Sequence, residues 1–335
     1  MTKQKSTVKP LKLFKTIEEQ IEILKERGCI ISDASFARET LSKINYYRLT
    51  AYLLPFKDKG SKEERYLPNT TFEKIVGLHE FDRKLRSLLL QAIDCIEVTL
   101  RTRLARTHVK NHNRNPIAYL NPKNFHFIET KKERKRTKEE NKKIFLQTIE
   151  KIILNNRKDD IIKHHENKYG GKLPLWVIIE FFTFGDLSRL LYSNLKTKDK
   201  KEIAKQFIPE YIPDNFLHEY LESWLRCCTD IRNRCAHFGI LYNNPFSSAP
   251  KGFYKKERSL WAIMLVIKWL HPFPDRWHEE FIPQLRNLIS DYLEDSDLDR
   301  LCFPENWEEE LGKSQKLSLE QNIKKPETKT SHKHL

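Results

Sequence analysis

"TTFEKIVGLHEFDRKLRSLLLQAIDCIEVTLRTRLARTH", residues 70–108, carries the strongest helical pattern in the sequence. Its apolar side chains recur at steps of three and four, which places them on one face of an α-helix. The residues on this face are Leu78, Phe81, Leu85, Leu88, Ala92 and Ile96. Thr70 and Glu73 have the spacing of a capping box, and no proline follows before Pro116. We therefore predict one long helix over about 71–110.

The rest of the chain has a similar pattern, and it predicts shorter helices together with two short helices on either side of Gly185. The shorter helices are expected over 16–28, 35–54, 139–165, 199–207, 214–237, 257–270 and 275–294. Only 9 glycines occur in 335 residues, which disfavours a turn-rich β fold. The sequence therefore predicts an all-α helical bundle. Its expected parts are a basic arm with helices that pack on the core (1–70), a helical domain (71–300) and a mostly disordered tail (301–335).

Charge indicates the class of partner. The formal net charge is +15, which favours a polyanion such as nucleic acid, although a generally lysine-rich surface is the alternative. Basic residues are concentrated in "KKERKRTKEENKK" (131–143), which is either an RNA-binding strip or a solvated helix start. The candidate RNA-binding residues in this run are Lys131, Lys132, Arg134, Lys135 and Arg136.

Several classes of protein and site have no support in the sequence. No apolar run approaches the ~18 residues that span a bilayer, and no signal peptide is evident, so no membrane contact is expected. Six cysteines without paired spacing indicate reduced thiols in the cytoplasm. Nucleotide-binding glycine loops, zinc-type Cys/His spacings and the serine-hydrolase elbow are all missing. We therefore expect no cofactor, no metal, and any catalysis to use side chains alone.

The helix predicted at 214–237 ends in "RNRCAH" (232–237). Its buried face is predicted to consist of Leu217, Leu221, Trp224, Cys228, Ile231 and Cys235. Arg226, Asp230, Asn233 and His237 fall on the opposite face, and Arg232 falls at the edge of the buried one. His237 is therefore expected to face solvent. One interpretation is that His237 and the arginines of this segment only stabilise the C-terminal, negative end of the helix dipole.

The other interpretation is chemistry on a phosphate. A guanidinium holds a phosphate through two parallel hydrogen bonds, and an imidazole with a pKa near ~6.5 exchanges protons at cellular pH. An amide such as that of Asn233 can orient either group. Together they suit attack of an RNA 2′-hydroxyl on the adjacent phosphate, which requires proton transfer and charge neutralisation but no metal.

The R-N-x-x-x-H motif resembles that of HEPN-domain ribonucleases and, more distantly, the nuclease modules of type VI CRISPR effectors. Its surroundings resemble the abortive-infection family of bacterial phage-defence proteins, the AbiD/AbiF group. The similar blocks are "INYYRLTAYLLPF" (44–56), "TFEKIVGLHEFDRKLR" (71–86), "IEVTLRTRLA" (96–105), "LPLWVIIEFFTFGDLSRL" (173–190) and "RNRCAHFGILYN" (232–243). The resemblance implies an HEPN-like core in 71–300, a defensive or toxin-like role, and a catalytic set of Arg232, Asn233 and His237. Arg226, on the exposed face of the same helix, is a further candidate RNA-binding residue.

A second half of the site has two possible sources. Arg103 and His108 repeat the R-x-x-x-x-H spacing, and Arg101 lies near them, so the long helix is a possible second half-site within the chain. Arg101 is alternatively the partner of Glu97 in a structural ion pair. A homodimer, in which Arg226 of one chain meets Asp230 of the other, is the competing source.

The leading prediction is an endoribonuclease of antiphage defence. A protein that binds RNA without cutting it, associated with a dedicated small non-coding RNA, is the first alternative. A protein-interaction scaffold is the second.

Overall fold

The computed structural model describes residues 11–61, 63–129, 136–208, 212, 216–253 and 257–323, and over these ranges the fold is all-α, as predicted, with isolated β-bridges but no strands. The chain divides into two compact units, 1–83 and 84–335. The first unit contains α1 (Ile17–Glu26), α2 (Ala34–Lys43), α3 (Tyr46–Leu53) and the start of α4 (Phe72–Asn111). The second contains the rest of α4 and α5 (Lys138–Asn155), α6 (Asp160–Tyr169), α7 (Leu175–Ile178), α8 (Thr197–Phe207), α9 (Leu217–Ala236), α10 (Leu260–Leu270), α11 (Pro274–Arg276), α12 (Ile282–Tyr292), α13 (Asp295–Leu301), α14 (Trp307–Gly312) and α15 (Gln315–Asn322).

The long helix α4 matches its prediction in length, and its predicted apolar face is buried throughout. The predicted cap was wrong by one residue. Thr71, not Thr70, accepts a hydrogen bond from the backbone N–H of Lys74, at 3.1 Å. The Thr70 hydroxyl instead donates to the Leu67 carbonyl, at 2.7 Å. Two adjacent threonines were equivalent candidates for the N-cap in the sequence. The turn before the helix determines that Thr71 takes this position.

Two predicted helices are each divided in the structure. The helix expected over 35–54 breaks at Ile44, which is extended, and the Asn45 side chain then accepts from Tyr47 N at 2.8 Å to start α3. The helix expected over 139–165 stops at Asn155, and Asp159 caps α6 through Ile161 N at 2.8 Å. In both places a short polar side chain competes for backbone donors and starts a new helix.

The tail prediction was wrong for 301–323. This segment contains α14 and α15, and its apolar side chains, such as Trp307 and Leu319, are buried. Trp269 Nε1 donates to Ser318 Oγ at 3.1 Å, and the Lys268 ammonium donates to the Glu310 carbonyl at 2.7 Å. These helices are too short and too polar for their apolar periodicity to be recognised in the sequence. They are held in place by contacts with α10 rather than by their own helical propensity. Residues 324–335 lie outside the described part of the chain.

The core of the second unit lies around α9 and α10. Every side chain from Ala262 to Leu270 on α10 is buried, so this helix is enclosed on all sides. Trp224 of α9 packs against Trp269, with ring centroids 5.0 Å apart. Helix α9 also packs on α8, and the π-helical turn at Asp186–Leu191 packs against it as well. Helix α9 is therefore held by neighbours on several sides.

Membrane-spanning helices were sought among the described residues, and no helix combines the length with the hydropathy that a span requires.

Candidate functional site

Helix α9 buries the predicted apolar face and exposes the end of the RNRCAH motif. Ile231 and Cys235 are buried in this helix, together with the other four residues of the predicted face. Arg232 keeps 33% of its side chain exposed, Asn233 is half-buried, and His237 is exposed. The placement of these three residues agrees with the sequence prediction.

The helix ends in a Schellman motif that fixes the position of His237. His237 is the C-cap residue of α9. After it, Phe238 N donates to the Cys235 carbonyl at 3.1 Å, and Gly239 N donates to the Arg234 carbonyl at 2.7 Å. Phe238 has a φ of +56°, a left-handed conformation that usually belongs to glycine. A Cβ on Gly239 would lie 2.6 Å from Arg234 Cγ, so only glycine fits there.

Arg234, the second arginine of the motif, has a structural role. Its guanidinium donates to the carbonyls of Asn244 and Pro245, at 2.9 and 3.0 Å, and lies over the Phe246 ring, 4.2 Å from the centroid. It therefore holds the loop that follows α9 against the helix. Of the two arginines of the motif, Arg232 is the one that contacts Asn233 and lies near Glu97.

Arg232 is positioned by two neighbours. Its Nη1 donates to Asn233 Oδ1 at 3.3 Å, and its Nε lies 3.9 Å from Glu97 Oε2 on α4. His237 lies one helical turn beyond Asn233, and among the described residues no side-chain partner of its ring is found. Arg232 is thus oriented by the protein, while the imidazole of His237 faces solvent.

Arg101 is the partner of Glu97, as one of the two interpretations predicted. Its Nη2 lies 2.7 Å from Glu97 Oε1, and its guanidinium also donates to the carbonyls of Ile179 and Phe182. These two carbonyls belong to the block 173–190. Glu97 therefore links α4 to Arg232 on α9, and its partner Arg101 links α4 to this block.

The other two residues of the possible second half-site lie elsewhere. The Arg103 guanidinium stacks on Phe207, 4.0 Å from the ring centroid, and burial lowers its pKa. His108 is buried beside Asp199 and His112. The structure therefore brings Arg101 to the site through Glu97 but does not bring Arg103 and His108 there.

The exposed face of α9 is engaged within the chain. Arg226 pairs with Glu222, at 2.8 Å, and Asp230 accepts from Arg189, Ser247 and Ser248. Asp230 therefore already has partners within the chain, and the Arg226–Asp230 contact between two chains stays a prediction.

A basic cleft beside Arg101 was missed by the sequence analysis. It has a volume of about 570 Å³, and apolar side chains such as Val109 and Ile179 line it together with the charged or aromatic residues Arg101, Arg106, Lys110, Arg114, Trp176 and Glu180. Lys110 pairs with Glu202 at 2.9 Å, and Arg106 and Arg114 are exposed. Trp176 is 52% exposed, which is unusual for an indole without a partner surface. Part of the signal was present in the sequence, because Arg106 and Lys110 lie one helical turn apart on α4, while Arg114 follows in the turn after the helix.

The predicted basic run 131–136 falls mostly outside the described residues. Lys131, Lys132, Arg134 and Lys135 are in that undescribed segment, and Arg136 is half-buried just before α5. This part of the prediction stays a prediction.

A thiolate nucleophile has no support. None of the six cysteines forms a disulfide bond, and burial raises the pKa of Cys227 to about 12 and that of Cys228 well above its ordinary value. Thiols in such surroundings stay protonated and inert.

Comparison with known proteins agrees with the resemblance of the sequence blocks. The family model described as "Abi-like protein" matches residues 39–243, more than half of the chain. This range contains α4, α9 and the motif 232–237. No curated protein and no solved structure matches the chain. The chain belongs to the Abi-like protein family.

Proposed function

We propose that this protein is an abortive-infection endoribonuclease that cleaves RNA through the 2′-hydroxyl. Membership of the Abi-like family supports a role in abortive infection of phage-infected cells. The finer assignment rests on the R-N-x-x-x-H motif, which resembles HEPN ribonucleases, and on sequence blocks that resemble the AbiD/AbiF group. In this proposal the helices around α4 and α9 form an HEPN-like core.

The observation that carries the proposal is that Arg232 is held by neighbouring side chains while His237 is exposed. Arg232 is oriented by Asn233 and Glu97, and His237 is exposed at a rigid helix end. An arginine that only stabilised the helix terminus would need neither an amide nor a carboxylate to hold its fork. Preorganised donors next to an accessible imidazole are what a phosphoryl-transfer site requires.

Each motif residue then has a role in the reaction. Arg232 binds the scissile phosphate and stabilises the charge that develops on its oxygens. His237 takes the proton of the 2′-hydroxyl or delivers one to the leaving 5′-oxygen. The 2′-oxygen attacks the phosphorus, the bond to the 5′-oxygen breaks, and the products carry a 2′,3′-cyclic phosphate and a 5′-hydroxyl. Asn233 keeps the guanidinium in place through the 3.3 Å contact.

RNA binding is assigned to the basic cleft and to two further sets of cations. Exposed Arg106 and Arg114 offer phosphate contacts, and the exposed Trp176 offers a face on which a base can stack. Arg226 and the run Lys131, Lys132, Arg134, Lys135 and Arg136 are further proposed contacts. The net charge of +15 supports the same class of partner.

The decisive experiment uses one RNA oligonucleotide in two forms. Wild-type protein is mixed with the all-ribose strand and with a strand that carries a single 2′-deoxy nucleotide at the mapped cut position. We expect cleavage of the first strand, with 2′,3′-cyclic phosphate and 5′-hydroxyl ends, and no cleavage of the second at that position. His237→Ala protein is the control for contaminating nucleases. Cleavage of the 2′-deoxy strand at the same bond would overturn the mechanism.

The second candidate is a protein that binds a structured small RNA without cutting it. The basic cleft with its exposed Trp176 favours this alternative, because binding needs no imidazole. Sequencing of RNA that co-purifies with His237→Ala and with wild-type protein separates the two. An intact RNA bound equally by both proteins favours the binder, and trimmed ends found only with wild type favour the ribonuclease.

A further inference from the structure

The far end of α4 carries a cluster of ligand-type side chains that the proposed ribonuclease site does not use. His108 lies in the last turn of α4, and His112 follows four residues later, just past its end. Asp199 faces them from the first turn of α8. One nitrogen from each histidine and one carboxylate oxygen lie within 4.8 Å of one another.

Two members of this cluster are buried, and each has at least one side-chain atom without a hydrogen-bond partner. His108 is 1% exposed and Asp199 is 2% exposed. Among the described residues, neither nitrogen of His108 nor Oδ2 of Asp199 has a hydrogen-bond partner. An unpaired buried polar group costs about 1–3 kcal/mol, and three such atoms side by side are rarely tolerated without a reason.

The spacing fits ligands of one ion better than a hydrogen bond. His108 Nδ1 lies 3.6 Å from Asp199 Oδ2, beyond the range of an N–H to oxygen bond. Ligand atoms about 2.1 Å from a tetrahedral ion lie about 3.4 Å apart, close to this separation. Two imidazoles and one carboxylate are ligands that zinc and other first-row divalent ions accept.

Neighbouring groups orient all three ligands. Asn111 donates to the other oxygen of Asp199, at 2.9 Å, which leaves Oδ2 turned toward the histidines. His112 Nδ1 lies 2.7 Å from the His108 carbonyl, so a neutral ring that donates there keeps a lone pair on Nε2. Phe125 stacks on His108, with ring centroids 5.0 Å apart, and covers it from solvent. Such supporting contacts are typical of metal-binding histidines.

We propose that His108, His112 and Asp199 bind one divalent transition-metal ion, with zinc as the best match. The ion would tie the end of α4 to α8, and α8 in turn packs on α9. The three ligands are different side chains from Arg232, Asn233 and His237, so the ion would take no direct part in the proposed cleavage. The sequence contains the H-x-x-x-H pair at 108–112 but no complete zinc-type set of local spacing, because the third ligand is almost 90 residues away in the chain.

The test is a titration of full-length, chelator-stripped protein with Co²⁺, followed by displacement with Zn²⁺. We expect a visible absorption band that saturates at about one ion per chain, bleaching by Zn²⁺, and a melting temperature that rises with Zn²⁺ concentration. The variants His112→Gln and Asp199→Asn should lose the band and the rise in melting temperature. His164→Gln/His165→Gln, which removes the adjacent histidine pair on α6, should keep both.

Three outcomes would overturn the proposal. They are wild-type protein that gives no band and no change in melting temperature, ligand variants that bind Co²⁺ as wild type does, and loss of binding only in the His164/His165 control. The wild-type titration decides by itself if the buried variants fail to fold. The readouts are optical and thermal, so they do not depend on whether the protein cuts RNA.

Discussion

Glu97 Oε2 lies 3.9 Å from Arg232 Nε, so a carboxylate of α4 faces the arginine of the motif on α9. The other oxygen of Glu97 holds Arg101 at 2.7 Å. A phosphate that binds Arg232 must therefore share the guanidinium with Glu97. The contact orients the arginine in the free protein, and it also opposes the approach of an anion.

Glu97→Gln is expected to have two effects of opposite sign. Stability should fall by about 1–3 kcal/mol, because Arg101 and Glu97 are both largely buried and lose a charge-assisted bond. Affinity for uncleavable RNA should rise by up to roughly fivefold, because a negative charge beside Arg232 is removed. Denaturant unfolding and RNA titration measure the two effects.

Glu180→Gln is the matched control for this variant. Glu180 also lies near Arg101, at 3.8 Å, but most of its side chain is exposed, so its removal should change stability by less than about 0.5 kcal/mol. Equal losses of stability in the two variants would contradict the assigned role of Glu97.

Arg232→Ala and His237→Ala should abolish cleavage and cell toxicity without unfolding the protein. We expect cleavage to fall by at least about 100-fold, as for loss of a general acid or base, while the melting temperature stays within a few degrees. Ile231→Asp is the contrasting variant, since it places an unpaired charge at a fully buried position and should unfold the bundle. Unfolding of Arg232→Ala or His237→Ala would instead mean that these residues are structural.

Much of the fold and the motif could be predicted from the sequence, because both depend on local spacing. Helix α4 and the buried face of α9 follow from apolar steps of three and four, and the exposure of His237 follows from the same helical geometry. The contact between Glu97 and Arg232 joins residues far apart in the chain, so no local pattern reveals it. The packing of α15 on α10 depends in the same way on distant partners.

Phe238→Gly should stabilise the protein and weaken RNA binding. Phe238 has a φ of +56°, which costs a non-glycine residue roughly 1–2 kcal/mol, and glycine relieves this strain at some cost in chain entropy. The ring is 69% exposed next to His237, a position suited to stacking on a base. We expect RNA affinity to fall by about 1–3 kcal/mol. Phe238→Tyr retains a ring and should bind as wild type, and equal binding by the glycine variant would exclude stacking.

The buried Lys268 is expected to make the free energy of unfolding rise with pH in the alkaline range. Burial lowers its pKa from 10.5 to about 8. Between these values the unfolded chain holds the proton that the folded chain has lost, so stability rises with pH over this window. Buried thiols and tyrosines, such as Cys227, act in the opposite direction, because burial raises their pKa. The difference between wild type and Lys268→Met cancels those groups, and parallel stability curves for the two proteins would contradict the assignment.

The last prediction is that the active form is a homodimer with its two 232–237 segments facing each other. One motif supplies one imidazole, whereas the proposed reaction needs a proton acceptor and a proton donor on opposite sides of the phosphate. His108, the imidazole of the alternative half-site on α4, is buried beside Asp199. A second copy of His237 is therefore the simplest source, and a two-fold axis brings identical helix ends together.

Mixing inactive His237→Ala chains with wild-type chains tests this arrangement. In a shared site, activity should follow the square of the wild-type fraction, because each mixed dimer lacks one imidazole. In a site within one chain, activity falls linearly with that fraction. His164→Ala chains, altered at an exposed residue of α6, are the control and should cause no loss. A protein that sediments as a monomer while it cuts RNA would exclude the dimer, since each chain then completes the reaction with its own side chains.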